Sequence, residues 1–296
     1  MIVEVTEILD DKDWLILRTI DQERNITKAA ELLYISQPSL TYRIQQMEKE
    51  FGTSILIRRK KGVDFTPEGE YLVQYANKML KELREAKDYI NNLRTEIKGT
   101  LRLGVSRTYA RYRLPAILSM FLEDYKNVEI KLKSGFSSEV VQMLQKEEAT
   151  AGIVRDLSSW NGSKLLIDEE DIVVVSKHEI MIDDLPKLPR IDYMTDPSLQ
   201  SAVDHWWKET FSIQPKLSME VDMLDTCLEM VNNGLGYAIL PSICLKEHHQ
   251  LNTYELWLKK KKLKRQTWLI YHSYSLELKV VKAFVKFLKR DYGTPL

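Results

Sequence analysis

From Asp13 to Gly52 the apolar residues recur at helical intervals. Trp14, Leu15, Leu17 and Ile20 define one face of a first short helix. Thr27 reads as the N-cap of a second, Lys28-Ala29-Ala30-Glu31-Leu32-Leu33, whose paired alanines let another helix approach closely. A tight connection through Tyr34 and Ile35 leads to a third, Ser36 to Gly52. There Leu40, Ile44, Met47 and Phe51, spaced 4, 3 and 4, make one narrow apolar stripe. The opposite face carries Pro38, Thr41, Tyr42, Gln45, Gln46 and Lys49. With Ser36 as N-cap, Pro38 falls in the first turn, where its missing N–H costs nothing and its fixed φ suits the helix. Ile55 to Thr66 then reads as strand, basic turn with Gly62, strand: a small wing with Arg58, Arg59, Lys60 and Lys61 near its tip.

Thr66-Pro67 repeats the helix-start signal, and a polar helix runs from there to about Lys98. Leu72, Ala76, Met79, Leu83, Ala86, Ile90, Leu93 and Ile97 follow at steps of 4, 3, 4, 3, 4, 3 and 4, a heptad seam. So narrow a stripe needs a partner helix, so the spacing predicts a dimerisation helix; an intramolecular helix pair is the alternative. Gly99 ends the helix, and strands then alternate with helices. Strands are expected at Thr100–Ser106, Val128–Gly135, Ala149–Val154, Asp171–Ser176, Leu217–Asp222, Tyr237–Pro241 and Thr267–His272. Helices are expected at Leu114–Tyr125, from Ser137, at Met223–Gly234 and from about Leu276 to Arg290. That order implies a mostly parallel sheet, with ligands beyond the carboxyl ends of the strands.

A chain of 296 residues, 44% hydrophobic and 29% charged, has room for two domains with real cores. Its longest apolar runs are strand length, the first residues lack the basic and apolar regions of a signal peptide, and only Cys227 and Cys244 occur. These features point to a reducing compartment, with cytoplasm the expected location and no membrane partner. Net charge is zero, so only its distribution informs. Ser36 to Thr66 holds six basic residues (Arg43, Lys49, Arg58, Arg59, Lys60, Lys61) against three acidic ones; Met1 to Ile35 holds four against eight. A local phosphate-binding surface on a neutral protein has this form. A helix-turn-helix followed by a basic wing binds DNA through phosphate contacts from the wing and base contacts from the helix.

Residues 13 to 69 resemble the DNA-binding domain of the LysR-type transcriptional regulators. The family pattern T-x-A-A-x-x-L is here Thr27 to Leu33, S-Q-P-x-[LV]-S is Ser36 to Thr41, I-x-x-L-E-x-x-L-G is Ile44 to Gly52, L-F-x-R is Ile55 to Arg58, and L-T-x-x-G is Phe65 to Gly69. Departures are conservative: Thr41 for Ser, Met47 and Phe51 for Leu, Leu56 for Phe. Weaker echoes follow in Gly99–Gly104, Leu114–Phe121 and Gly234–Pro241, while Thr150 stands where the family usually has Asp. The resemblance implies a multidomain α+β protein: a winged helix-turn-helix (1–66), a linker helix that pairs subunits (67–98), and an α/β effector-binding domain (99–296) like a periplasmic solute-binding protein. Its two subdomains would be about 99–167 plus 268–296, and 168–267.

The implied DNA-binding residues are Thr27, Ser36, Gln37, Pro38, Ser39, Thr41, Tyr42 and Gln45 on the helices and Arg58, Arg59, Lys60 and Lys61 in the wing. Leu72, Ala76, Met79, Leu83, Ala86, Ile90 and Leu93 would form the dimer seam. By position, Ser106, Arg107 and Thr108 after the first strand, Ser134 and Phe136 after the second, Thr195, and Thr226 opposite would hold an effector. Arg107, Arg111 and Arg113 would favour an anion such as a carboxylate. Expected partners are double-stranded promoter DNA, a small-molecule effector and a second copy of the chain as homodimer or homotetramer, with RNA polymerase a further candidate; no cofactor or metal is expected. Two-fold pairing implies an inverted-repeat site.

Enzymatic readings lack support. G-x-S-x-G, P-loop and H-E-x-x-H patterns do not occur, and Gly234-Leu235-Gly236 lacks a third glycine. His248-His249 with Cys244 reads as solvated histidines rather than a metal site. An effector-independent repressor and a transport-type binding protein are the remaining alternatives. The basic run Leu258 to Gln266 reads as a loop between strands, with direct DNA contact a weaker reading.

Overall fold

Asp10 starts the first helix, α1 (Asp11–Glu23), through a capping box in which Asp10 and Asp13 each accept the other's backbone N–H. The structure is a computed structural model that describes residues 9–157, 159–246, 248 and 250–292, so the expected N-terminal features and His249 lie outside the described residues. The chain divides into two units, Met1–Ile90 and Asn91–Leu296.

In the first unit, α2 spans Ile26–Leu32 and is capped by Asn25, whose side chain accepts from Lys28 N at 3.1 Å. Thr27 is therefore not the N-cap: Asn25 holds the extended backbone a cap requires and leaves Thr27 exposed in the first turn. In α3 (Gln37–Phe51), Ser36 is the cap and accepts from Ser39 N at 3.2 Å. Leu40, Ile44 and Met47 bury against Ile16, Leu17 and Ile20 of α1 and against Ala29 and Ala30. Phe51 does not complete that stripe. It is the last residue of the helix, 42% exposed, and lines an open groove of about 460 Å³ with Pro67, Tyr71 and Leu72.

The wing is the antiparallel pair β1 (Leu56–Arg59) and β2 (Gly62–Phe65), with Lys60 and Lys61 at its turn. Gly62 has φ +98°, and a Cβ there would lie 2.3 Å from the Arg24 carbonyl oxygen. That carbonyl also accepts from Val63 N at 2.9 Å, so the wing is pinned to the end of α1. At the other end, Glu48 of α3 accepts from Ile55 N at 2.8 Å. Thr66 caps α4 (Pro67–Leu93) by accepting from Gly69 N at 2.9 Å.

Helix α4 stops before the expected Lys98, and Gly99 begins a strand rather than ending the helix. Asn92 explains the stop: it accepts from Lys279 N at 2.8 Å and donates to the Glu277 carbonyl at 2.7 Å, while Lys279 Nζ donates to the Arg94 carbonyl. Ile97, the last residue of the expected seam, packs on the core of the second unit.

The second unit contains, in order, β3 (Gly99–Ser106), α5 (Arg107–Tyr112), α6 (Leu114–Asp124), β4 (Val128–Gly135), α7 (Ser137–Gln145), β5 (Ala151–Arg155), β6 (Ser163–Ser176), β7 (Arg190–Tyr193), α8 (Pro197–Thr210), β8 (Leu217–Val221), α9 (Leu224–Asn232), β9 (Tyr237–Pro241), β10 (Asn252–Glu255), β11 (Trp257–Leu258), β12 (Lys261–Lys262), β13 (Lys264–Tyr271) and α10 (Lys279–Asp291). The main sheet runs β4-β3-β5-β13-β6-β9-β7-β8, with β10 also on β6. It is mixed, not mostly parallel. Parallel ladders join β3 to β4 and β5, and β7 to β8 and β9. The strands that carry the chain out and back between two subdomains, β6 and β13, run antiparallel to each other and to their neighbours.

Both faces of the central strands are buried, so successive residues there alternate between cores. In β6, Ile172 and Val174 face the cluster containing Trp206 and Trp207, while Val173 and Val175 face the one containing Cys227 and Leu228. In β5, Ala151 and Ile153 pack towards α6 and α10, and Val154 towards α7. The basic run is not a simple loop. Trp257–Leu258 and Lys261–Lys262 form a hairpin, and Arg265 is buried inside β13.

Candidate DNA interface and effector cleft

On α3 the residues opposite the buried stripe face water. Gln37, Pro38, Ser39, Tyr42 and Gln45 are exposed, with Ser36 beside them, and Thr41 is half-buried. Pro38 has no N–H and Ser39 gives its own to Ser36, so the first turn offers a phosphate the Gln37 N–H and two serine hydroxyls, which also bond each other at 2.8 Å. Tyr34, in the turn before α3, was not among the expected contacts. It holds φ 55° and is 96% exposed, a costly conformation for a bulky residue beside the recognition helix.

Arg43 lies on α3 but is withdrawn from this surface. Its guanidinium meets buried Asp13 at 2.9 and 3.0 Å and Asp10 at 3.2 Å, clamping α3 to α1. Of the wing cations, Arg59 pairs with Asp64 at 2.7 Å, while Arg58, Lys60 and Lys61 stand exposed.

The expected dimer seam divides at Met79. Leu72 and Ala76 are 7% and 0% exposed because they complete the core of their own unit, so they cannot also meet a partner helix. Leu83, Ile90 and Leu93 are 38%, 57% and 68% exposed, with Ala86 also exposed and Met79 half-buried. Tyr71, Tyr75 and Tyr89 extend the apolar surface of α4.

In the second unit the expected effector residues Ser106, Arg107, Thr108, Ser134 and Phe136 lie at or just after the ends of β3 and β4. Ser106, at the end of β3, is buried, and its Oγ has no hydrogen-bond partner. Thr108 is half-buried in α5 and Ser134 is exposed at the end of β4. The three arginines expected to attract an anion are each matched by a carboxylate. Arg107 meets Glu139 at 3.5 Å and lies 4.3 Å over the Phe136 ring; Arg111 meets Asp225 at 3.0 Å; Arg113 meets Asp168 at 3.4 Å. Thr195 and Thr226 are half-buried.

Each of those threonines is one residue from an aspartate that bonds a residue distant in sequence. Asp196 accepts from Ser137 N of α7 at 2.9 Å and from Arg265 Nη2 at 2.7 Å. Asp225 accepts from the Tyr112 hydroxyl, and burial together with this bond pushes the phenol above its ordinary range. Arg265 also donates to Asp156 at 2.7 Å, and Ser137 Oγ accepts from Arg155 N at 3.0 Å. Arg155 pairs with Glu170 deeper in the sheet; burial and the neighbouring Arg265 charge hold its guanidinium below the usual arginine range. The start signal Asp196-Pro197 was available to sequence reading. Nothing in the run around Arg265 marks it as buried.

Burial pushes the Cys227 and Cys244 thiols up to about 12. Among the described residues no cluster of ligand-type side chains could hold a metal, and no helix is long and apolar enough to cross a membrane.

A winged helix-turn-helix joined to a two-subdomain α/β unit defines a DNA-binding regulator with a ligand-binding domain. The model for bacterial regulatory helix-turn-helix proteins of the lysR family matches residues 12–70, and the LysR substrate binding domain matches residues 94–293. The chain belongs to the LysR family of transcriptional regulators. It is 45% identical over 284 residues to the uncharacterized HTH-type transcriptional regulator YraN of Bacillus subtilis (strain 168), covering 96% of this chain and 98% of that protein. Its fold is similar to full-length CbnR complexed with its target DNA (TM-score 0.69, 19% identity, 95% of this chain and 99% of that one). It is also similar to AphB, a Vibrio cholerae virulence activator (TM-score 0.68, 15% identity, 96% and 100%).

Proposed function

We propose that Tyr42 and Gln45 read base edges in the major groove, with Thr41 beside them. Thr27, Ser36, Gln37 and Ser39 at the helix starts, and Arg58, Lys60 and Lys61 in the wing, contact phosphates. Arg59 shares its charge with Asp64 and contributes less. Subunits pair through α4 from Met79 onward, as a homodimer or a homotetramer built from such pairs. The protein acts in the cytoplasm on promoter DNA, with RNA polymerase as a further contact, and this role needs no catalytic residue. A small anionic effector in the cleft shifts the balance between two subdomain arrangements and so changes the geometry offered to DNA.

The exposed hydrogen-bonding face of α3, flanked by an exposed basic wing tip, carries the DNA reading. Tyr42→Ala and Gln45→Ala test it in binding assays on promoter fragments from the gene's own neighbourhood and on random duplex. Each substitution is expected to cost about 1–3 kcal/mol on the specific site and far less on random DNA. Equal losses on both would remove these side chains as readers.

A further inference from the structure

The basic run from Leu258 to Gln266 has no part in the DNA surface of the first unit. Trp257 pairs with Lys262 and Leu258 with Lys261, so Lys259 and Lys260 form the two-residue turn of a hairpin. Both turn residues have positive φ, 48° and 68°. A two-residue turn of this kind favours Asn-Gly, and lysine is costly at either position. The stem below the turn is fixed. Leu256 is buried, and Leu258 and Leu263 pack on the core that holds Trp206 and Trp207. Leu263 N donates to the Leu256 carbonyl at 2.8 Å, and Ile172 N to the Leu263 carbonyl at 2.9 Å. Lys262 also belongs to the stem: it pairs with Glu255 and lies 5.5 Å over the Trp257 ring. Lys264 meets Glu169 at 2.8 Å, and Arg265 is buried. The tip is different. Lys259, Lys260 and Lys261 are all exposed. Lys259 meets Glu209 at 3.5 Å in a pair exposed at both ends, and Lys260 and Lys261 have no ion-pair partner among the described residues. Lysines on a hairpin often guard its edges against pairing with another chain. The turn has no edge to guard, and Asn-Gly would close it without strain.

We propose that the tip of this hairpin is a second DNA-binding element, which takes the phosphate backbone of duplex DNA independently of sequence. Lys259, Lys260 and Lys261 concentrate positive charge at one rigidly held point of a chain whose net charge is zero. Each ammonium is a point charge without the bidentate fork of arginine, so it suits phosphate oxygens and reads no base. The exposed pair with Glu209 is worth little and gives way readily to a phosphate. The contact can be weak on its own. The winged helix binds DNA on the same chain, so the second unit meets duplex at a high effective concentration. An acidic protein surface offers similar charge, but duplex DNA is the polyanion that this chain already holds.

The test uses the full-length chain and a random-sequence duplex, with binding followed by fluorescence anisotropy over a series of sodium chloride concentrations. Lys259→Asn combined with Lys260→Gly installs the pair that the turn prefers, so its thermal midpoint is expected to be no lower than the native one. Its slope of log affinity against log salt is nevertheless expected to become shallower by about 1 to 2, with roughly tenfold weaker binding at low salt. Lys260→Gln combined with Lys261→Gln removes two charges and keeps a side chain at every position, and it should lower the slope by a similar amount. This second variant decides the matter wherever the first melts below the native chain. A slope that falls while the thermal midpoint holds supports the hairpin as a phosphate contact. An unchanged slope in the second variant overturns the proposal, and is the result expected if the lysines instead meet an acidic protein.

Discussion

Arg43 shows why the charge of a residue does not settle its role. It sits on the recognition helix within the basic stretch, yet Asp13 and Asp10 hold it against α1. Its positive charge is spent inside the domain, whereas Arg58 and Lys60 remain exposed at the wing. Counterion release distinguishes the two cases. Replacing Arg58 and Lys60 by Gln is expected to lower the slope of log affinity against log salt by roughly 1 for each phosphate that the wing no longer neutralises. Arg43→Gln is expected to leave that slope unchanged and to lower stability by about 1–2 kcal/mol, as for a partly buried, charge-assisted pair. A slope that falls for Arg43→Gln but not for the wing variants would reverse these assignments. Sequence alone could not make this distinction, because Asp13 lies 30 positions from its partner and is buried only once α1 and α3 pack.

Elements with strong local signals were legible. The cap at Ser36, the apolar stripe of α3 and the strand-turn-strand of the wing all appear where periodicity and turn chemistry put them, because each is specified by neighbours within a few residues. Phe51 and the first half of β6 show the limit. Whether a helix-end residue is covered depends on what packs there, and the first part of β6, Ser163–Asp171, ends in the acidic run Asp168–Asp171, whose strand character comes from pairing with β13. Position singled out Thr195 and Thr226, whereas the adjacent aspartates, Asp196 and Asp225, make the bonds to Ser137 and Tyr112. In α4 a single heptad repeat serves two ends. Leu72 and Ala76 hold the helix to its own domain, and Leu83, Ala86, Ile90 and Leu93 are exposed, open to the second helix proposed above. Leu83→Asp is therefore expected to shift sedimentation towards monomer while the circular dichroism of the chain stays native. A dimer of unchanged stability would refute the seam.

At the scale of the whole molecule, the buried clusters do not cross the division at Ile90. One core draws on residues between Ile16 and Ala76, and the other four on residues between Leu101 and Leu288. Stability should follow that division, since cooperative unfolding tracks shared buried surface. Leu72→Asp places a charge in the first core, where burial without a counter-ion costs several kcal/mol, enough to unfold the small unit Met1–Ile90. Calorimetry of this variant is expected to lose one transition and to retain the other within about 2 °C of its native midpoint, because a substitution in a separate core is additive and far from it. DNA binding should vanish while the second unit remains folded. Loss of both transitions together would show that the units fold as one, so that a change in the effector cleft could reach the DNA-binding helices through shared stability rather than through subunit geometry.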